Sequence, residues 1–561
     1  MPLPCLPQKE LEANQSMRQD WLDRNSDHYH FDHNYLPGMP LLLTTDQGLP
    51  FYENFSVKYI TERLAETADL SINMLAVPFT SFWDPFDEVK DYERFFPILH
   101  RPGIIQTFQT DAAFAEQRLC GVNPVVLKKV EKLEDYFPNT PDLFKKLQTE
   151  GKLPSNHNLD QMLKDEVLFV CDYRVLKAVK GGNYDKGRKF LPKPVALFAW
   201  ISSGFSDRGQ LVPIAIHDPE IDRLYTPFNC DANTWLYAKL CVQIADGNHH
   251  EMITHLCRTH FVMEPFAIAT GQHLAENHPL GILLRQHLRF MLFNNQLGRQ
   301  RLINREGPVD HLLAGTLPES LQLVVDGYES WNIQEFAFPT DIQNRGVDDV
   351  NKLPHYPFRD DGQLLWEAIH KYVKEYLSIY YQIDNDLSLD FELQDWATKL
   401  TSPGGGKMKG MPSTFTSLAD LPALIELVCT VIFICGPLHS AVNYAQYEFM
   451  AFVPNMPLAA YSNVGQDAEK KTISQAELMQ ILPPPKRASE QLSSIYILSA
   501  YRYDRLGYYD DIFQDPQARE VAERFRQELT VIENRIDERN ARRLIPYPYL
   551  KPSLVLNSIS I

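Results

Sequence analysis

HLCRTH, residues 255–260, sets two histidines five positions apart inside a run that reads as helical. Helical metal motifs usually space their histidines by four, because residues i and i+4 share a face. At 3.6 residues per turn, positions five apart diverge by roughly 140° around the axis. Either the two histidines are unrelated, or the helix widens locally so that both reach one point. The second reading predicts a π-type turn around Leu256–Thr259, since an extra residue per turn brings i and i+5 close to one face.

Working outward, residues 235–278 read as one long helical region, with no proline before Pro265. Further helical patterns run over 9–24, 364–383 and 421–449. The stretch SVKYITERLAETADL (56–70) is amphipathic, with Tyr59, Arg63 and Glu66 as neighbours on one side. Strand-like runs at 167–179, 193–202 and 211–218 predict a small β element at one side of the protein. SPGGGKMKGMP (402–412) reads as a surface loop. The charged stretch 515–543 reads as a solvated helix. The closing YPYLKPSLVLNSISI is apolar, which predicts that Ile561 is tucked inside. No internal repeat and no strong boundary interrupts this pattern. The expected architecture is mainly α: one large helical body over 41–561 with a small β subregion, preceded by a polar, partly helical extension over 1–40.

Composition excludes some function classes. Of 561 residues, 44% are hydrophobic and 22% charged, ordinary for a globular protein with a large core. A formal net charge of -18 argues against binding to a nucleic-acid backbone. It argues equally against attraction to a membrane by overall charge, although a local patch could still dock on lipid. The eight cysteines form no CxxC pair, and several sit in apolar runs. They read as buried thiols in a reducing, cytoplasmic setting. The N-terminal residues lack a basic segment followed by an apolar one, so no secretory signal is expected there. LVCTVIFIC (427–435) is too short to span a bilayer and reads as a buried core helix.

Four polar residues stand in helical apolar surroundings: His255, His260, His439 and Asn443. The last two, in HSAVN, are spaced i, i+4 and can face one point. Three imidazoles and an amide oxygen suit iron, copper or zinc. None of the four carries negative charge, so a divalent cation there calls for an anionic ligand. A buried terminal carboxylate would supply it. Taken singly, a pair among 17 histidines is more often a satisfied core or surface pair than a metal site. A zinc hydrolase fits worse, because the glutamate of HExxH is missing.

THLCRTHFVMEPFAIATGQHLAENHP (254–279), followed by LLRQHLR (283–289), resembles the signature region of lipoxygenases. GPLHSAVNYAQY (436–447) resembles their second metal-binding helix, and the last residue is isoleucine, as theirs is. Similar stretches recur at LVPIAI (211–216), WLYAKLCVQIAD (235–246) and FRDDGQLLWEAIHKYV (358–373). Gln286 departs from the family, which commonly has proline there.

The resemblance implies a lipoxygenase catalytic domain over 41–561, without the N-terminal lipid-binding sandwich (PLAT domain) of many relatives. It implies non-haem iron held by His255, His260, His439, the carboxylate of Ile561 and, weakly, Asn443. Glu251 and Gln446 would join the two metal helices by hydrogen bonds. The implied reaction is radical. A hydrogen atom leaves the methylene between two cis double bonds of a polyunsaturated fatty acid, and dioxygen adds to the delocalised radical to give a hydroperoxide. Gly298 stands where glycine accompanies R products in many members and alanine S products, which implies R stereochemistry. Leu302 and Val309 would lie near it in the pocket, and Arg63, beside Tyr59, would meet the substrate carboxylate at the mouth. Alternatives within the fold are a hydroperoxide isomerase or diol synthase, and more remotely a non-catalytic lipid-binding protein. Peripheral membrane association would come from the N-terminal helix or the entrance loops. The sequence leaves the oligomeric state and the preferred fatty acid open.

Overall fold

The computed structural model describes residues 3–137, 159–185, 187–202, 209–467, 470, 472–509 and 512–561. Its first long helix, α1 (Glu12–Ser26), has almost no apolar stripe and is held by charge instead. Arg18 Nε meets Glu392 at 2.5 Å, and its NH1 donates to Asn277 Oδ1 at 2.9 Å, all buried. Such a pair adds little net stability but is costly to break on one side. Residues 3–40 therefore pack onto the body, with Leu6, Tyr29, Leu36 and Met39 buried. Helix α2 (Val57–Ala76) follows, capped by the Ser56 hydroxyl, which accepts from Tyr59 N.

The β element is a five-stranded antiparallel sheet in simple order: β1 (Lys128–Lys129), β2 (Leu168–Asp172), β3 (Val195–Ile201), β4 (Gln210–Asp218) and β5 (Arg223–Tyr225). Strand β3 is apolar throughout because both its faces are covered. Ala196, Phe198 and Trp200 join the main core, while Val195, Leu197 and Ala199 join a smaller one behind the sheet.

The run around HLCRTH is one continuous rod, α3: α-helical over Ala232–His249, π-helical over His250–Phe261, α-helical again over Val262–His273. The widened segment is thus much longer than the single turn expected around Leu256–Thr259. It runs through the centre of the molecule, buried on nearly every side. A network of buried polar groups pins its start. Arg118 donates to Asp246 Oδ2 (2.6 Å), Asn123 to Asp246 Oδ1 (2.8 Å), and the Thr254 hydroxyl to Asn123 Oδ1 (2.8 Å).

Helix α4 (Met291–Arg301) packs against α3, and α5 (Pro357–Tyr380) forms a second long wall. The run Leu418–Met450 is long and apolar enough to cross a membrane. Here it is a core element, α6: α-helical over Leu421–Phe433, π-helical over Ile434–Leu438, α-helical over His439–Asn443. Pro437 lies inside its π segment. A proline has no N–H and clashes with the carbonyl four residues back, so the ladder must rearrange there.

Helices α7 (Pro485–Ser499) and α8 (Pro516–Asn540) complete the body. The charged α8 corrects the expectation of a solvated helix. Its Ala518, Val521, Ala522, Phe525, Leu529, Ile532 and Ile536 form a buried stripe against α5, with Phe525 stacked on Tyr372 at 4.5 Å. Charge density hid a regular i, i+3, i+4, i+7 pattern.

Candidate metal centre

The π segment of α3 brings His255 and His260 onto one side, and the π segment of α6 presents His439 to them. One ring nitrogen of each lies within 4.8 Å of the other two. Ring centroids are 5.0–5.4 Å apart, and all three side chains are buried. Burial holds all three imidazoles neutral. It pushes His260 down to about 3, helped by His255, lowers His255 despite Glu251, and takes His439 well below the ordinary range.

The hydrogen bonds around these rings fix which nitrogens carry lone pairs. Asn295 Nδ2 donates to Glu264 Oε2 (2.7 Å) and to the His260 carbonyl (3.2 Å), so its Oδ1 is the atom facing His260. His260 Nδ1 therefore carries the proton and donates to Asn295 Oδ1 at 2.9 Å. Its Nε2 is a bare lone pair. His255 Nδ1 points at the Glu251 carboxylate at 3.7 Å, leaving its own Nε2 bare. The two Nε2 atoms face each other at 3.3 Å. Neither ring nitrogen of His439 has a hydrogen-bond partner among the described residues, although both are buried. Lone pairs pointed at each other, beside an orphaned buried imidazole, are unfavourable unless a cation lies between them. The donor set thus fits a metal ion of the nitrogen-preferring kind.

Glu251 is a carboxylate here. Burial opposes its charge, but the His250 and His255 rings, at 3.6 and 3.7 Å, prevail and hold its pKa at about 2. The expected hydrogen bond from Glu251 to Gln446 is not made. Gln446 Nε2 instead donates to Asn443 Oδ1 at 2.9 Å, while Gln446 Oε1 and Glu251 Oε1 have no hydrogen-bond partner among the described residues. The two metal helices are joined by His250, whose Nε2 donates to the Val442 carbonyl at 3.0 Å. Asn443 follows His439 by one turn, buried, its Nδ2 donating to the Leu498 carbonyl (2.8 Å). One lone pair of its amide oxygen remains free of Gln446.

Residues 555–561 are buried throughout. Asn557 anchors them. Its two amide N–H groups are shared among Asp504 Oδ2, the Arg505 carbonyl and the Tyr508 carbonyl, and its Oδ1 accepts from Gly507 N. His287 Nδ1 donates to the Asn557 carbonyl (2.9 Å), and the Tyr59 hydroxyl donates to the Ser560 carbonyl (2.5 Å). A methyl on Gly436 would stand 2.8 Å from the Leu556 carbonyl, so glycine is what lets the π segment of α6 approach this tail.

A cavity of about 470 Å³ opens at the histidines. His255, His260 and Ile561 line it, together with apolar side chains from α2, α3, α4 and α7. Gly298, Leu302 and Val309 are in its wall. A Cβ on Gly298 would meet nothing closer than Leu302 Cδ1 at 4.0 Å, so this glycine is not needed for packing and leaves a notch in the wall. Tyr59 and Arg63 also reach the cavity, but Tyr59 is buried and Arg63 donates to the Ile497 carbonyl at 2.8 Å.

Sequence reasoning missed the residues that orient His260. Glu264, in the EPF triplet, accepts from Asn295, from Arg299 NH1 (2.7 Å) and from Leu42 N (2.7 Å). The i, i+4 spacing of Asn295 and Arg299 around Gly298 was the available signal.

Comparison with known proteins agrees with this geometry. A family model described as Lipoxygenase matches residues 87–545. The chain is 31% identical to a linoleate 9/13-lipoxygenase of Pseudomonas aeruginosa, over 85% of this chain and 70% of that one. It is 30% identical to an allene oxide synthase-lipoxygenase protein of Plexaura homomalla over 99% of its length, and spans 54% of that relative. A crystal structure of a lipoxygenase in complex with arachidonate superposes with a TM-score of 0.90 at 28% identity, covering 100% of this chain and 84% of the other. Lipoxygenases use non-haem iron, and the three histidines the π segments gather offer it a place. The chain belongs to the lipoxygenase family.

Proposed function

We propose that this protein oxygenates polyunsaturated fatty acids to hydroperoxides, with non-haem iron held by His255, His260 and His439. The observation that carries this reading is the set of bare imidazole lone pairs gathered beside an apolar cavity of about 470 Å³. The Ile561 carboxylate supplies the negative charge the imidazoles lack, and the Asn443 oxygen is a weaker ligand. Bound iron supplies the one-electron chemistry that takes a hydrogen atom from the methylene between two cis double bonds.

The chain's own residues do the rest. The cavity walls hold an apolar chain in one register and exclude water, within the size usual for small-ligand sites. The similarity to a linoleate lipoxygenase and to an arachidonate-bound one supports a C18–C20 class of substrate, an approximate range. Arg63 lines the cavity and donates to the Ile497 carbonyl, and its remaining N–H groups support a role in pairing with the substrate carboxylate. The notch at Gly298 gives dioxygen room at one end of the radical and supports an R product. The eight free cysteines support a reducing, cytoplasmic location.

Incubation with linoleate tests the reading: conjugated diene should rise in step with oxygen uptake. Epoxy-alcohol formed from added hydroperoxide, without oxygen uptake, would replace it with an isomerase. Gly298→Ala fits the cavity without strain and should move a substantial share of product to the opposite chirality. Unchanged chirality on chiral chromatography would remove Gly298 from stereocontrol.

A further inference from the structure

Helix α2 wears its apolar residues on the outside. Val57, Ile60, Leu64, Ala68, Ile72 and Leu75 are all exposed, and at about 100° per residue they fall within roughly 60° of one line along the helix. The opposite side, with Tyr59, Leu70 and Asn73, is buried against the body. The charges of α2 lie off the exposed stripe, beside the buried face. The stripe is continued at both ends. Phe51, before the helix, is 92% exposed. Beyond its end, Phe79 (77%) and Trp83 (68%) stand together at 6.4 Å, following Leu75 at 86%. Monomeric soluble proteins rarely show so continuous an apolar surface unless something covers it.

We propose that this face docks on a lipid surface with zwitterionic headgroups. The inference rests on the fatty-acid reading of the cavity. Two observations choose lipid over a protein partner or a second copy. Ile60 and Leu64 belong both to the exposed stripe and to the cavity wall, so whatever covers the stripe covers the mouth. A protein there would seal the cavity, whereas a bilayer would feed it, letting a fatty acid pass inward without crossing water. The second observation is charge. Along α2, Glu62, Glu66 and Asp69 face only Lys58 and Arg63, in a chain of net charge -18. An anionic surface is therefore disfavoured, and attachment is by insertion of aromatic and aliphatic side chains at headgroup depth.

Flotation with phosphatidylcholine vesicles tests this on the full chain. The wild type should bind, with little change on raising salt. A Leu75→Ser/Phe79→Ser/Trp83→Ser variant alters neither cavity wall nor metal residues. It should keep its circular dichroism and its activity on dispersed linoleate, yet lose vesicle affinity by about a hundredfold. Brominated phosphatidylcholine should quench part of the tryptophan emission of the wild type, and that part should vanish in Trp83→Phe. The proposal is overturned if the wild type ignores these vesicles, if the variant binds equally well, or if binding needs anionic lipid and disappears with salt. It is also overturned if sedimentation shows a dimer that the variant abolishes. Vesicle binding is scored without catalysis. Binding by a protein that leaves dispersed linoleate unchanged would count against the fatty-acid reading alone.

Discussion

His260 meets its surroundings in one tautomer, and that depends on a residue 35 positions away. Asn295 can only accept from the His260 ring because its amide protons go to Glu264 and to the His260 carbonyl, and Glu264 is held in turn by Arg299. Removing Asn295 would leave a buried N–H unpaired, a cost of about 1–3 kcal/mol. It would also free the ring to turn. Asn295→Ala should therefore weaken metal affinity by about 10–100-fold, read by competition with a chelator, with the melting temperature lowered only modestly. Unchanged affinity would show that packing alone orients the ring. The three histidines were legible in the sequence because their residue type is rare in apolar helices and their spacing is odd. Asn295, Glu264 and Asn557 were not. Each is an ordinary polar residue until tertiary packing brings its partner from far along the chain. Glu251 and Gln446 illustrate the same limit: both lie near the site, but each chose another partner.

At the level of elements, the site is made by two departures from α-helix. The first was legible, since only a widened turn lets HLCRTH meet one ion. Its extent, twelve residues, was not, because the added residue shifts hydrogen bonds well beyond the turn that needs it. The second π segment had a signal that passed unread: Pro437 two residues before His439 in an otherwise helical run. Gly436, beside it, lets the tail that ends in Ile561 lie against α6. Gly436→Ala forces a shift of the Leu556 carbonyl or of α6, at about 1–3 kcal/mol. We expect reduced bound iron together with faster proteolytic clipping near residue 550, where Pro437→Ala should be milder on both. Equal iron content in wild type and Gly436→Ala would mean the tail adapts. The β sheet and the long helices were read from periodicity alone, whereas α8 was misjudged because its charges outnumber its apolar residues.

For the whole molecule, folding buries ionisable groups that must stay neutral. His287 holds the Asn557 carbonyl from within the core, and burial, partly offset by that bond, depresses its pKa to about 4. In the unfolded chain a histidine titrates near 6.5. Its contribution to stability is therefore complete above about pH 6.5 and is lost as pH falls towards 4, at about 1.4 kcal/mol per unit. Denaturant midpoints of metal-free protein should fall accordingly between pH 7.5 and pH 5, approximate bounds of that window, and His287→Gln should flatten the slope; an unchanged slope would exclude His287 from it. The helical class and the small sheet followed from the sequence because they depend on local pattern. The cavity and the outward apolar face of α2 did not, because they depend on which side of each helix the rest of the chain covers. In the proposed site, three neutral histidines and the Ile561 carboxylate hold iron at the cavity. Metal content of purified protein, set beside oxygen uptake on linoleate, decides it. About one iron per chain is expected, lost together with activity in His439→Ala and on deletion of Ile561, with the fold retained in both. Zinc in place of iron, or iron and oxygen uptake surviving in both variants, would rule the site out.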